Sequence, residues 1–177
     1  MGRLAGNRNS LVPATPAGIV ELIRRYNIET FEKIACVVGR SKNVGLPMAM
    51  LLHSDGVFSD CPGLDSTVIH CHRYTPPHVL KQMTSLADIL VVAVGHSGLI
   101  TGDMVKEGAA VFDVGINVVE SSSSSTEGGR KRKIVGDVDF DSVVEKAGFI
   151  SPVPGGVGPM TVAMLLKNTV KAYKGVV

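Results

Sequence analysis

Arg40 and Arg73 each stand just past a short apolar run, and guanidinium groups are the side chains best shaped to grip a phosphate. Arg40 belongs to Gly39-Arg40-Ser41-Lys42-Asn43-Val44-Gly45-Leu46-Pro47, which follows Ile34 to Val38 and opens into Met48 to Leu52. Strand, tight turn and helix in that order aim backbone N–H groups and a helix N-terminus at an anion. The turn does not match the three-glycine dinucleotide fingerprint, having only Gly39 and Gly45. Taken alone, it also reads as a βα turn with no ligand. Arg73 closes His70-Cys71-His72-Arg73, where an NAD site ordinarily carries an acid for the ribose hydroxyls. With no acid there, Arg73 can meet the 2′-phosphate of NADP or a separate anion, and Arg40 can join it. The alternative is a pair of solvated surface arginines.

A second string, Pro152 to Thr161, holds three glycines and two prolines between Pro154 and Pro159. That composition makes a rigid surface, poor in side chains, that a flat ligand can approach closely. A plain helix start with Pro159 in its first position would not require it. One motif points to a nucleotide, and the two together point to a nucleotide facing a second substrate. Asp113 and Asp137 end apolar runs, where they either orient backbone near a ligand or cap strand-end turns. The five histidines fit no zinc spacing. No nucleophile elbow or Ser-His-Asp arrangement is evident.

The elements that must hold these residues alternate. Strands are expected at about 34–38, 67–72, 89–94, 109–114 and 134–138. Helices are expected at about 15–26, with Thr15 as N-cap, and at 44–52, 76–86, 140–147 and 159–173. Ile89 to Val94 is apolar throughout, as in a strand covered on both faces. The expected fold is α/β: a Rossmann-like, doubly wound parallel sheet with helices on both faces. The 177 residues suffice for one such domain. A net charge of +2 gives no case for nucleic acid, and no apolar run is long enough for a membrane span. Cys36 and Cys71 read as buried strand thiols, and the odd total of three cysteines suits a reducing compartment. Ser121 to Ser125, running into Arg130-Lys131-Arg132-Lys133, reads as a surface loop between strands.

Five segments occur in a telling order. They are Pro13-Ala14-Thr15-Pro16, Gly39 to Pro47, Asp113-Val114-Gly115-Ile116-Asn117, Gly136-Asp137-Val138 and Pro154 to Thr161. Together they resemble the nucleotide-binding domain of methylenetetrahydrofolate dehydrogenase/cyclohydrolases. The resemblance implies a bifunctional folate enzyme that oxidises methylene-tetrahydrofolate with NAD or NADP and hydrolyses the product to formyl-tetrahydrofolate. It places Gly39, Arg40 and Ser41 on the pyrophosphate and ribose, His72 and Arg73 on the adenosine side, and Ile116 at the nicotinamide. It places Pro154, Gly155, Gly156, Val157 and Gly158 along the folate cleft.

Asp65 with His72-Arg73-Tyr74-Thr75-Pro76 is similar to the animal mitochondrial, NAD-preferring branch. That likeness implies inorganic phosphate between Arg40 and Arg73, with Asp65 helping to hold Mg²⁺. Asn7 stands where that branch has a second carboxylate, which weakens the case for Mg²⁺. It also implies a mitochondrial location, with the cytoplasm as the alternative, and a homodimer for the full-length protein.

On this reading residues 1–177 are the NAD(P)-binding domain, with interdomain helices at about 15–26 and 159–173. The family's catalytic domain, which carries a Tyr-x-x-x-Lys motif, is absent from the chain. The expectation is therefore a fragment without turnover of its own and with no catalytic acid or base. A truncated, non-catalytic nucleotide-binding or interaction module is the alternative, and the Pro-Gly-Gly-Val-Gly-Pro string argues against a shikimate-type dehydrogenase.

Overall fold

Runs of aliphatic residues with no polar alternation need cover on both faces. The computed structural model, which describes residues 2–6, 8, 10–56, 63–120 and 132–175, supplies that cover with helices. The strands are β1 (Ile34–Val38), β2 (Thr67–Cys71), β3 (Ile89–Val92), β4 (Ala110–Asp113), β5 (Asn117–Glu120), β6 (Arg132–Val135) and β7 (Phe149–Ile150). The helices are α1 (Gly2–Ala5), α2 (Ala14–Arg25), α3 (Gly45–His53), α4 (Pro77–Leu86), α5 (Phe140–Val144) and α6 (Val157–Tyr173), with one 3-10 turn at Gly102–Met104.

Five strands form a parallel sheet in the order β2-β1-β3-β4-β7. Alternate residues of each strand feed two cores, because successive side chains leave opposite faces. Ala35, Val37, Ile89, Val91, Ala110 and Phe112 pack with Ile19 and Ile23 of α2 and with Met48, Leu51 and Leu52 of α3. Cys36, Val38, Leu90, Val92 and Val111 pack with Leu80 of α4, Val143 of α5, Ile100 and Val105. This is the doubly wound sheet that the sequence led us to expect, and Cys36 and Cys71 are buried free thiols within it.

The 134–138 segment departs from expectation. It is not a sheet strand: β6 pairs antiparallel with β5 in a separate two-stranded ribbon, and Val138 makes only an isolated bridge to Ile100. Strand β5 was missed because it is short and half exposed, and β7 because two residues give no periodic signal. The serine tract and Asn7 lie outside the described residues.

Helix α2 begins at Ala14 with Pro13 as its N-cap. Thr15 therefore does not cap it, and instead accepts a hydrogen bond from Thr161 Oγ1 at 3.1 Å. Helix α6 starts two residues before Pro159. The two helices lie side by side, and Gly18 makes this possible: a Cβ there would stand 3.1 Å from Met160 Cβ. Asn168 Nδ2 donates to the Val12 carbonyl at 2.7 Å. Of the 17 residues of α6, Val157 and Met164 are buried, while Val162, Leu165, Leu166, Val170 and Tyr173 are more than half exposed.

Candidate functional site

The carboxyl ends of all five parallel strands share one edge, and β1 and β3 are neighbours although β2 separates them in sequence. Ligands of open α/β sheets bind at such a switch point. Gly39 leaves β1 at φ +125°, and a Cβ there would meet the Ala93 carbonyl at 2.2 Å. A Cβ on Gly45 would meet the Gly39 carbonyl at 1.8 Å. The six-residue spacing thus lets α3 start directly against the end of β1. His70 Nε2 donates to the same Gly39 carbonyl at 2.7 Å. Ser41 Oγ accepts from Val44 N at 3.1 Å, which folds the turn back on itself. His70 escaped the sequence reading because nothing in a strand's alternation marks a side chain that reaches a neighbouring turn.

Arg40 follows β1 and Arg73 follows β2, so the parallel register brings the two together. What joins them is Tyr74. Arg40 Cζ lies 5.3 Å and Arg73 Cζ 5.5 Å from the centroid of its ring. Each exposed guanidinium–ring contact is worth roughly 0.5–1 kcal/mol, enough to offset the screened repulsion of two like charges near water. The His72 ring stands edge-on to Tyr74 at 6.0 Å, and His72 Nδ1 accepts from Tyr74 N at 3.2 Å. Tyr74 was quoted in sequence only as part of a string; the convergence of two cations on one ring requires the fold to be seen.

Asp65 is not part of this pocket. It precedes the first residue of β2, whereas Arg73 follows the last, and the strand between them spans roughly 13 Å at 3.3 Å per residue. Its carboxylate accepts from Gly56 N through both oxygens, at 3.0 and 3.1 Å, and so closes the connection after α3. Its backbone has φ +53°. Among the described residues no group of three His, Cys, Asp or Glu is placed to hold a metal ion. The structure thus sets Asp65 before β2 and the two arginines after β1 and β2, and does not bring the expected Mg²⁺ ligand beside them.

The two strand-end aspartates prove to be the framework of the edge. Asp113 Oδ1 accepts from Gly115 N and Asp137 N, both at 2.9 Å, and Oδ2 accepts from Val138 N at 3.0 Å. Burial pushes the Asp113 carboxyl above its ordinary value, against the opposing pull of these N–H groups. Asp137, with no exposed surface, accepts from Val94, Gly95 and His96 N at 2.7, 3.0 and 2.9 Å and from Asn117 Nδ2 at 2.9 Å. The glycine beside each aspartate gives the other one room: a Cβ on Gly136 would meet Asp113 Oδ2 at 1.7 Å, and one on Gly115 would meet Asp137 Cγ at 2.3 Å.

Beyond this framework lies a cleft of about 430 Å³, lined by Thr15, Asp113, Ile116, Ile134, Pro154, Gly155, Val157 and Gly158 among others. Ile116 is 69% exposed and projects here although it is aliphatic. The structure thus brings Ile116 together with Pro154, Gly155 and Gly158. Val157 reaches the cleft only from the core, where it is buried. Gly156 lines a different cavity of about 370 Å³, behind the loop, with Tyr26, Phe149 and Met160. Nothing within 4 Å would oppose a side chain on Gly158. The chain's own packing does not require that glycine; a closely approaching ligand would.

The sequence profile described as tetrahydrofolate dehydrogenase/cyclohydrolase, NAD(P)-binding domain, matches residues 13–177. The chain belongs to this family. It is 58% identical over 177 residues to the bifunctional methylenetetrahydrofolate dehydrogenase/cyclohydrolase 2, mitochondrial, of Homo sapiens, covering 100% of this chain and 49% of that protein. A methylenetetrahydrofolate dehydrogenase of the silkworm Bombyx mori superposes with a TM-score of 0.88 at 48% identity, covering 98% of this chain and 56% of that one. The dehydrogenase-cyclohydrolase of Trypanosoma brucei, solved with NADP cofactor and inhibitor, gives 0.85 at 40% identity, with 99% and 55% covered. The chain spans about half the length of the curated relatives it matches. As an NAD(P)-binding domain it fits its cofactor: a glycine turn at the β1–α3 junction, an arginine pair beside it and an apolar cleft beyond share one sheet edge.

Proposed function

We propose that this chain is the cofactor-holding half of a methylenetetrahydrofolate dehydrogenase/cyclohydrolase. The dinucleotide would lie along the carboxyl edge of the sheet, from Arg40 and Arg73 to Ile116. NAD(P), when bound, supplies the acceptor for a hydride from the substrate's methylene carbon. Gly39 and Ser41 hold the pyrophosphate side, Arg40 joins Arg73 at the 2′ side of the adenosine ribose, Ile116 packs beside the reacting ring, and Pro154, Gly155 and Gly158 form a flat wall for the folate. The protein's contribution is placement, since a reacting carbon held within about 3–3.5 Å of its acceptor gains much of the rate enhancement. The exposed apolar face of α6 would pack against the half that grips the folate. On this reading, turnover is expected only when that half is supplied, and the complete enzyme is a mitochondrial homodimer.

The observation that carries the cofactor assignment is the arginine pair on Tyr74, a pocket with two positive charges and no carboxylate ion pair among the described residues. It suits NADP through its 2′-phosphate, or NAD with inorganic phosphate in the same place, and we favour NAD with phosphate. Calorimetric titration of NAD⁺ should show tighter binding with phosphate present, and Arg73→Ala should abolish that gain. If phosphate leaves NAD⁺ affinity unchanged while NADP⁺ binds far better, the NAD preference is wrong.

A further inference from the structure

Tyr74 is 70% exposed, so packing does not explain its position. Its surroundings do. The residue sits in a turn closed by Thr75 N donating to the His72 carbonyl at 2.8 Å and by His72 N donating to Thr75 Oγ1 at 3.0 Å. Its own N–H is held by His72 Nδ1 at 3.2 Å, and the His72 ring meets its edge at an interplanar angle of 79°. The turn is therefore fixed locally, and against His72 lies the ring that it carries. Onto it come two guanidiniums from different strand ends, Arg40 after β1 and Arg73 after β2. Neither guanidinium is held by a carboxylate among the described residues, and the Tyr74 ring is the contact the two share.

We propose that Tyr74 is a positioning residue for the anion pocket: its ring parks Arg40 and Arg73 together, so that a phosphate group meets a preformed pair of cations. The inference rests on the dinucleotide reading above. Without the ring, each long side chain would have to be ordered as the phosphate binds, at the expense of affinity. The phenol hydroxyl plays no part, since the π face alone attracts the guanidiniums. The proposal differs from one in which Tyr74 stacks on the nucleotide base. A stacking platform serves every dinucleotide alike, whereas a spacer for two arginines serves only the phosphate.

Three forms of the protein test it: Tyr74→Phe, Tyr74→Leu and Arg73→Ala. The probes are NADP⁺, NAD⁺ alone, and NAD⁺ with inorganic phosphate, titrated calorimetrically. Tyr74→Leu should lower NADP⁺ affinity, and shrink the gain that phosphate gives NAD⁺, by roughly three- to tenfold. It should leave NAD⁺ alone within about twofold, and Tyr74→Phe should behave as the parent protein within the same margin. Equal loss for NAD⁺ and NADP⁺ in Tyr74→Leu would make the ring a stacking platform and overturn the proposal. So would an undiminished phosphate gain. If Arg73→Ala keeps that gain, the anion pocket itself is misassigned; if the parent protein binds neither dinucleotide, the functional reading fails before Tyr74 is reached.

Discussion

Asp137, itself fully buried, accepts three consecutive backbone N–H groups after β3 and one side-chain donor from Asn117. Its removal takes the shared acceptor from four part-buried or exposed donors at once. Asp137→Ala should therefore cost about 2–3 kcal/mol in urea unfolding and loosen the loop that starts at Val94. A loss below about 1 kcal/mol would show that the loop is held elsewhere. Asp88 works at the opposite edge: Oδ2 accepts from Ile34 N at 3.0 Å and Oδ1 pairs with Lys106 Nζ at 2.6 Å. Burial raises its carboxyl, but the Lys106 and Ile34 bonds outweigh that and hold it below the ordinary value. A depressed folded-state pKa means the stabilisation is complete above the ordinary aspartate range and is lost as pH falls through that range toward the lower folded value. Asp88→Asn should thus cost about 1 kcal/mol at pH 7 and markedly less at pH 3. An equal cost at both pH values would remove Asp88 from the acid response.

At the scale of elements, the β1–α3 junction has the least tolerance. A methyl at Gly45 has the Gly39 carbonyl in its way, and that carbonyl is already held by His70. Gly45→Ala should cost about 1–3 kcal/mol and weaken dinucleotide binding, read by thermal melting and titration of the same sample. Unchanged melting would mean that the helix shifts freely. This junction was legible in the sequence, since a strand, a glycine and an apolar helix leave few other arrangements. The buried strands and the long helices were legible for the same reason. The ribbon of β5 and β6 was not: an antiparallel pair outside the sheet and an edge strand differ in their partners, which local pattern does not encode. The placement of Asp65 was not legible either. The family likeness set it beside Arg73, but the strand between the two residues carries them to opposite edges of the sheet.

At the scale of the whole molecule, the long exposed apolar face of α6 contrasts with two filled cores. Such a patch on one helix marks a surface made to be covered. Leu166, 64% exposed, contributes little to this domain's own packing. Leu166→Ser should leave unfolding free energy within about 0.5 kcal/mol while reducing binding of an apolar dye. A large destabilisation would show that the face already has a partner within the chain. The candidate site was legible as residue types but not as an assembly: the sequence named the arginines, the two aspartates and the proline-glycine loop, the family resemblance added Ile116, and the fold was needed to add Tyr74, His70 and the bonds that tie the aspartates together. That framework has a consequence for descent. Asp113 occupies the space left free by Gly136, and Asp137 the space left free by Gly115, so a change at one member of either pair alters the room available to the other. The four positions are expected to be inherited as two linked pairs, with replacements tolerated jointly or not at all, and a double-substitution survey should find them the most strongly interdependent pairs on this edge of the sheet.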